Sequence, residues 1–188
     1  MSANICGILL AAGASKRFGA DKLLHPLTGG TPIALAALAN LRAAVPHVIA
    51  VVRPGTPLLA KRLSEAGATV VLCANAEEGM GASLAAAVSA SGNVTAWIVA
   101  LADMPYIRPG SIKKIADAVA AGAAIAAPAY RGERGHPVGL SSQFRAQLEA
   151  LRGDEGARSL LKLNSGLVRL VEVGDPGVCR DIDTPADL

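Results

Sequence analysis

Three cations, Lys16, Arg17 and Lys22, fall within seven residues of one another near the amino terminus. They belong to the segment Leu10-Ala11-Ala12-Gly13-Ala14-Ser15-Lys16-Arg17-Phe18-Gly19-Ala20-Asp21-Lys22, which follows directly on an apolar run. Gly13 and Gly19 permit tight backbone turns and close approach by a ligand. Backbone N–H groups left unpaired in such a loop cradle an anion. A triphosphate needs this density of donors and positive charge. The spacing is neither a Walker A motif, since Ala20 stands after Gly19 where lysine is required, nor the G-x-G-x-x-G dinucleotide fingerprint. The plainer reading is a solvated, lysine-rich connection between a strand and a helix.

Carboxylates supply the complementary chemistry. Asp103 follows the apolar run Trp97–Ala102 and precedes Met104-Pro105. That places it at the carboxyl end of a strand, where open α/β sheets bind ligands. A carboxylate there can hold Mg²⁺, which takes one or two carboxylates together with phosphate oxygens; a turn aspartate before proline is the alternative. Asp181 and Asp183 share one side of Arg180-Asp181-Ile182-Asp183-Thr184-Pro185 if that segment is extended. Thr184-Pro185 also reads as a helix start, which makes plain capping a competing explanation.

Two further segments carry polar groups of interest. In Asn75–Leu84 the glycines let backbone approach a planar base, and Ser83 can hydrogen-bond one; an ordinary helix start explains the same residues. Tyr130–Pro137 holds Arg131, Arg134 and His136 and suits an anionic ligand, or is simply a solvated basic hairpin. His25 and His47 have no partner at metal-ligand spacing. No Ser/His/Asp or Cys/His constellation suggests a nucleophilic side chain.

The elements that must position these groups alternate along the chain. Ile5–Ala12, Val48–Val52, Thr69–Cys73, Ala96–Ala102 and Ala124–Ala127 are predicted strands. Between them lie predicted helices: Pro32–Ala44 with Thr31 as N-cap, Pro57–Ala66, Met80–Ser91 and Pro109–Ala121. Strands that are apolar throughout and alternate with helices imply an α/β, three-layer α/β/α architecture around a mostly parallel sheet. The last third is less regular, with helical patterns at Gln143–Arg152 and Ala157–Lys162 and a strand pattern at Leu167–Val173. Nothing divides residues 1–188, so a single domain is expected.

Composition narrows the functional classes. Although 52% of residues are hydrophobic and mean hydropathy is +0.41, no apolar run reaches the roughly 18–20 residues of a spanning helix, so no membrane role is expected. Cys6, Cys73 and Cys179 are scattered and odd in number. They form no disulfide framework or metal knuckle, which suits a reducing cytoplasm. Aromatics are 3% and the longest basic run is Lys113-Lys114, so nucleic acid is not an expected partner. A net charge of +3 suits a small anionic ligand.

The pattern L-A-A-G-x-S-x-R-x-G-x-x-K resembles the signature of nucleotidyltransferases related to molybdenum cofactor biosynthesis, and within them the molybdenum cofactor cytidylyltransferase group. The resemblance extends through Asn75–Leu84, Ala102–Pro105, Arg134–Val138, Gly153–Arg158 and Asp181–Pro185. It implies a Rossmann-like fold binding CTP and Mg²⁺ and moving CMP to molybdopterin with release of pyrophosphate. Leu10, Ala11, Ala12, Gly13, Ser15, Arg17, Lys22, Gly81, Ser83 and Asp103 would contact nucleotide. Arg17, Lys22 and Asp103 would be catalytic, with Arg17 on the β/γ-phosphates and Lys22 near the α-phosphate. Asp103 and Asp183 would hold the metal, with Asp181 the weaker candidate for the second place, and Arg134 and His136 would meet the acceptor. Related guanylyltransferases carry glycine where this chain has Ala12, and a methyl there narrows the base pocket toward a pyrimidine. A molybdoenzyme client or its chaperone is an implied partner. Two alternatives stay open: a related enzyme using GTP or a sugar or alditol phosphate acceptor, and a non-catalytic nucleotide-binding module for cofactor delivery or regulation. The joint presence of Arg17, Lys22, Asp103 and Asp183 favours an enzyme.

Overall fold

The computed structural model describes residues 4–13, 18, 21–154 and 156–188. Strands β1 (Ile5–Leu10), β2 (Val48–Val52), β3 (Thr69–Leu72) and β4 (Ala96–Leu101) form a parallel block in the order β3-β2-β1-β4. The sheet continues through β7 (Val138–Ser141), antiparallel to β4, to β5 (Ile125–Tyr130). β5 also carries the two-residue strand β6 (Glu133–Arg134) and, in parallel, β8 (Val168–Glu172). Among the described residues the sheet has eight strands and is mostly parallel, as the alternation of apolar runs and helices implies.

Side chains alternate across each strand, so the sheet has two apolar faces. Leu9, Ala50, Val52, Ile98 and Ala100 pack under α1 (Ile33–Ala44), α2 (Pro57–Glu65) and α4 (Pro109–Ala120). Ile8, Leu10, Val51, Trp97 and Val99 pack under α3 (Met80–Ala90), α5 (Arg145–Glu149) and α6 (Arg158–Leu163). These two helix layers enclose the sheet. Trp97 is fully buried and donates its indole N–H to Ser91 Oγ at 2.9 Å, which satisfies its one polar atom. No helix among the described residues is long and apolar enough to cross a membrane.

Several local expectations change. Pro32, not Thr31, sits at the N-cap of α1: its ψ of 144° is extended and it has no side-chain cap. The fifth strand starts at Ile125 and runs on to Tyr130. The helical pattern at Gln143–Arg152 resolves into a 3₁₀ turn (Ser142–Phe144) and the five-residue α5. β6 and β7 carry too little apolar sequence to have been anticipated.

Asp175 organises the carboxyl-terminal tail. It is 2% exposed, and its carboxylate accepts from Arg108 N, Ser111 Oγ and Gly177 N at 2.9, 2.7 and 3.0 Å. Arg108 and Ser111 flank the start of α4, so a residue from elsewhere in the chain caps that helix. The same carboxylate starts the 3₁₀ turn Pro176–Cys179. Beyond it, His136 N–H donates to the Val178 carbonyl at 2.8 Å. Gly135 must lack a side chain, because a Cβ there would collide with the Val178 carbonyl. The tail is thereby pressed against the β5–β6 hairpin and aimed back at β4.

Candidate active site

β1 and β4 are adjacent, with Leu10 opposite Leu101, so the segments that leave their carboxyl ends emerge side by side. Ala11 and Ala12 are buried at the end of β1, and Gly13 is exposed beyond them. Ser15 and Arg17 lie outside the described residues. Lys22 opens a 3₁₀ turn (Lys22–Leu24) and is only 7% exposed.

The Lys22 ammonium is the meeting point of three segments. It donates to Asp103 Oδ2 at 2.9 Å and to the Ile182 carbonyl at 2.7 Å, and lies 3.7 Å from Asp183 Oδ1. Ile182 N–H in turn donates to the Asp103 carbonyl at 2.9 Å, which stitches the tail to the end of β4. Asp103 and Asp183 are both half-buried, whereas Asp181 is exposed. The capping explanation for Asp183-Thr184-Pro185 also holds: Asp187 accepts from Asp183 N, Thr184 N and Thr184 Oγ1. These hydrogen bonds, the backbone one from Thr184 first, hold the Asp187 carboxyl below its usual range.

Carboxylate oxygens of Asp103 and Asp183 both lie within 4 Å of one nitrogen. Hard oxygen donors in this arrangement suit Mg²⁺ or Mn²⁺, provided that other oxygens complete the coordination. Among the described residues no group of three or more His, Cys, Asp or Glu gathers as a metal site. The pair therefore suits a cation that arrives with phosphate.

A cavity of about 270 Å³ opens beside this centre. Leu10, Leu84, Val99 and Leu101 form its apolar wall, while Arg134, His136, Asp154 and Arg158 supply polar groups. Sequence reasoning singled out Arg134 and His136 here but missed Asp154 and Arg158, although both fall in the Gly153–Arg158 motif. His136 is half-buried with Nδ1 enclosed and without a hydrogen-bond partner among the described groups. Burial, and then the Arg134 charge, push its pKa below the ordinary 6.5, against an opposing pull from Asp103 and Asp181. The shift favours a neutral imidazole, which lines the same cavity as the two arginines.

Gly81 lies in the first turn of α3. Gly81 N–H donates to the Gly153 carbonyl at 2.8 Å, and a Cβ on Gly81 would lie 2.8 Å from the Arg152 carbonyl oxygen. The absent side chain makes room for the 152–154 turn. Ser83, one turn into α3, is buried.

The family described as MobA-like NTP transferase domain matches residues 7–172. The chain is 32% identical over 197 residues to the purine catabolism protein PucB of Bacillus subtilis (strain 168), covering 99% of this chain and 95% of PucB. It is 30% identical over 189 residues to nicotine blue oxidoreductase of Paenarthrobacter nicotinovorans, covering 96% and 92%. The crystal structure of Rv0371c from Mycobacterium tuberculosis H37Rv superposes with a TM-score of 0.82 at 29% identity, covering 98% and 95%. A complex of that protein with manganese gives a TM-score of 0.80 at 28% identity, with the same coverage.

Proposed function

The chain belongs to the MobA-like NTP transferase family, and from that premise we propose that it moves CMP from CTP to a molybdopterin-type phosphorylated acceptor, releasing pyrophosphate. The observation that carries this reading is the convergence of Lys22, Asp103 and Asp183 at the carboxyl edge of the sheet.

Transfer of a nucleotidyl group is mostly positioning and charge neutralisation. In this reading the backbone at Leu10–Gly13 receives the nucleotide, with Ser15, Arg17, Gly81 and Ser83 as further contacts. Arg17 and Lys22 face the triphosphate. Asp103 and Asp183 hold a divalent cation, Mg²⁺ by expectation, which when bound neutralises the triphosphate and assists departure of pyrophosphate. That manganese was found with Rv0371c supports a divalent ion in this fold. The cavity beside the centre takes the acceptor, whose phosphate reaches Arg134 and Arg158 at the rim; His136, neutral, can accept or donate one hydrogen bond there. The acceptor phosphate oxygen attacks the α-phosphorus as the bond to pyrophosphate breaks. Ala12, buried where β1 ends, favours a pyrimidine by occupying space that a purine ring would need.

The test presents ATP, GTP, CTP and UTP in turn with molybdopterin and Mg²⁺ and reads pyrophosphate. CTP should support release well above the other three. No release with any of the four, or release with GTP equal to that with CTP, contradicts the proposal.

A further inference from the structure

Lys22 stands where a cation shared by Asp103 and Asp183 would have to stand. Its Nζ is 2.9 Å from Asp103 Oδ2 and 3.7 Å from Asp183 Oδ1, and it is buried. An ammonium and a divalent ion cannot both occupy the space between two carboxylates. Like charges a few ångströms apart repel strongly in a site screened from water. Yet the lysine stem is flexible, and its head can be re-aimed without moving the backbone.

We propose that Lys22 is an exchangeable counter-ion. Without ligand it draws the two carboxylates together and, through the Ile182 carbonyl, keeps the tail docked on β4. It leaves its place between them only when a nucleoside triphosphate offers oxygens to receive the ammonium. Entry of the cation is thereby tied to entry of the nucleotide, and a bare divalent ion is kept out. This rests on the nucleotidyl-transfer reading above. It adds that Lys22 is a positioning residue in the free protein as well as a phosphate contact in the loaded one.

The test is a Mn²⁺ titration of the full chain without nucleotide, with free Mn²⁺ read by electron paramagnetic resonance. Lys22→Met removes the charge and keeps the stem; it should bind Mn²⁺ about tenfold more tightly than the unaltered protein. Lys22→Arg keeps the charge and should stay within about twofold of it. Lys113→Met, which removes a cation from the distant helix α4, should likewise stay within about twofold. A purely structural lysine gives the opposite sign, since its loss lets the carboxylates separate and weakens Mn²⁺ binding. Weaker or unchanged binding in Lys22→Met overturns the proposal.

Should that variant fail to fold by circular dichroism, the unaltered protein carries the test through the side-chain ¹⁵N resonance of Lys22. The resonance should move with Mg²⁺ plus α,β-methylene-CTP and hold still with Mg²⁺ alone. Movement with Mg²⁺ alone, or none in either case, overturns the exchange. Calorimetry with α,β-methylene-CTP separates the two levels: absent binding sinks the nucleotidyl-transfer reading, whereas binding that leaves Lys22 unmoved sinks only the exchange.

Discussion

The two halves of the sheet do different work. The parallel block β3-β2-β1-β4 is a rigid frame whose strands β1, β2 and β4 are almost wholly buried. It sets the carboxyl end of β1 beside that of β4, where Lys22 meets Asp103. The mixed half, β7, β5, β6 and β8, places its groups by other means. A short exposed hairpin delivers Arg134 and His136, and a tail pinned by Asp175 delivers Asp183. Under the proposed function, nucleotide chemistry would fall to the regular half and acceptor chemistry to the irregular one, with the carboxylate centre at the seam.

Substitutions on either side of that seam should separate the two roles. The largest effect is expected for Asp103→Ala. In steady-state kinetics with Mg²⁺, kcat should fall by roughly 10²–10³-fold while CTP binding weakens less, because a metal ligand acts most on charge that develops in the transition state. Asp175→Ala tests the other half. It strips a buried carboxylate from three donors and should cost about 3 kcal/mol in urea unfolding. It should also lower kcat modestly, by loosening the tail that holds Asp183. Full activity with the stability loss would show that the tail does not need this anchor.

Arg134→Ala should raise KM for the acceptor roughly tenfold and leave KM for CTP near its original value. Equal rises in both would erase the division between the halves. Ala12→Gly, on the nucleotide side, should improve kcat/KM for GTP relative to CTP by roughly tenfold, the scale of one methyl group in a pocket. No gain for GTP removes the steric argument.

The smallest effect concerns His136. Its folded pKa lies below 6.5, so as pH falls through that region the unfolded chain takes up a proton before the folded one does. Folded stability therefore declines with falling pH there. The stability difference between the unaltered protein and His136→Gln, measured from pH 7.5 to 5, should shift in favour of the variant at the acid end. A pH-independent difference would mean that this imidazole titrates normally.

Much of the frame is legible in the sequence. β1, β2 and β4 are buried on both faces and therefore read as continuous apolar runs. β6 did not show, because Glu133 and Arg134 are both exposed and two residues carry no periodicity. The short β7, interrupted by Gly139, gave no clearer signal. Asp103 was legible as a strand-end carboxylate, but its pairing with Lys22, 81 positions away, depends on β4 lying beside β1, and strand order is not written in local pattern. Asp175 carries no motif; only its burial reveals it. Gly79 and Gly81 were legible as a close approach, and the 152–154 turn packs against both.

The account turns on one cation shared across the seam, and a double-mutant cycle on kcat at saturating CTP tests that directly. Asp103→Ala, Asp183→Ala and the double variant are compared with the unaltered protein under one Mg²⁺ concentration. If the two carboxylates serve a single ion, the second substitution has little left to remove, and the double variant should fall within about threefold of the worse single one. Losses that multiply would mean that Asp103 and Asp183 act independently, and would contradict a shared site.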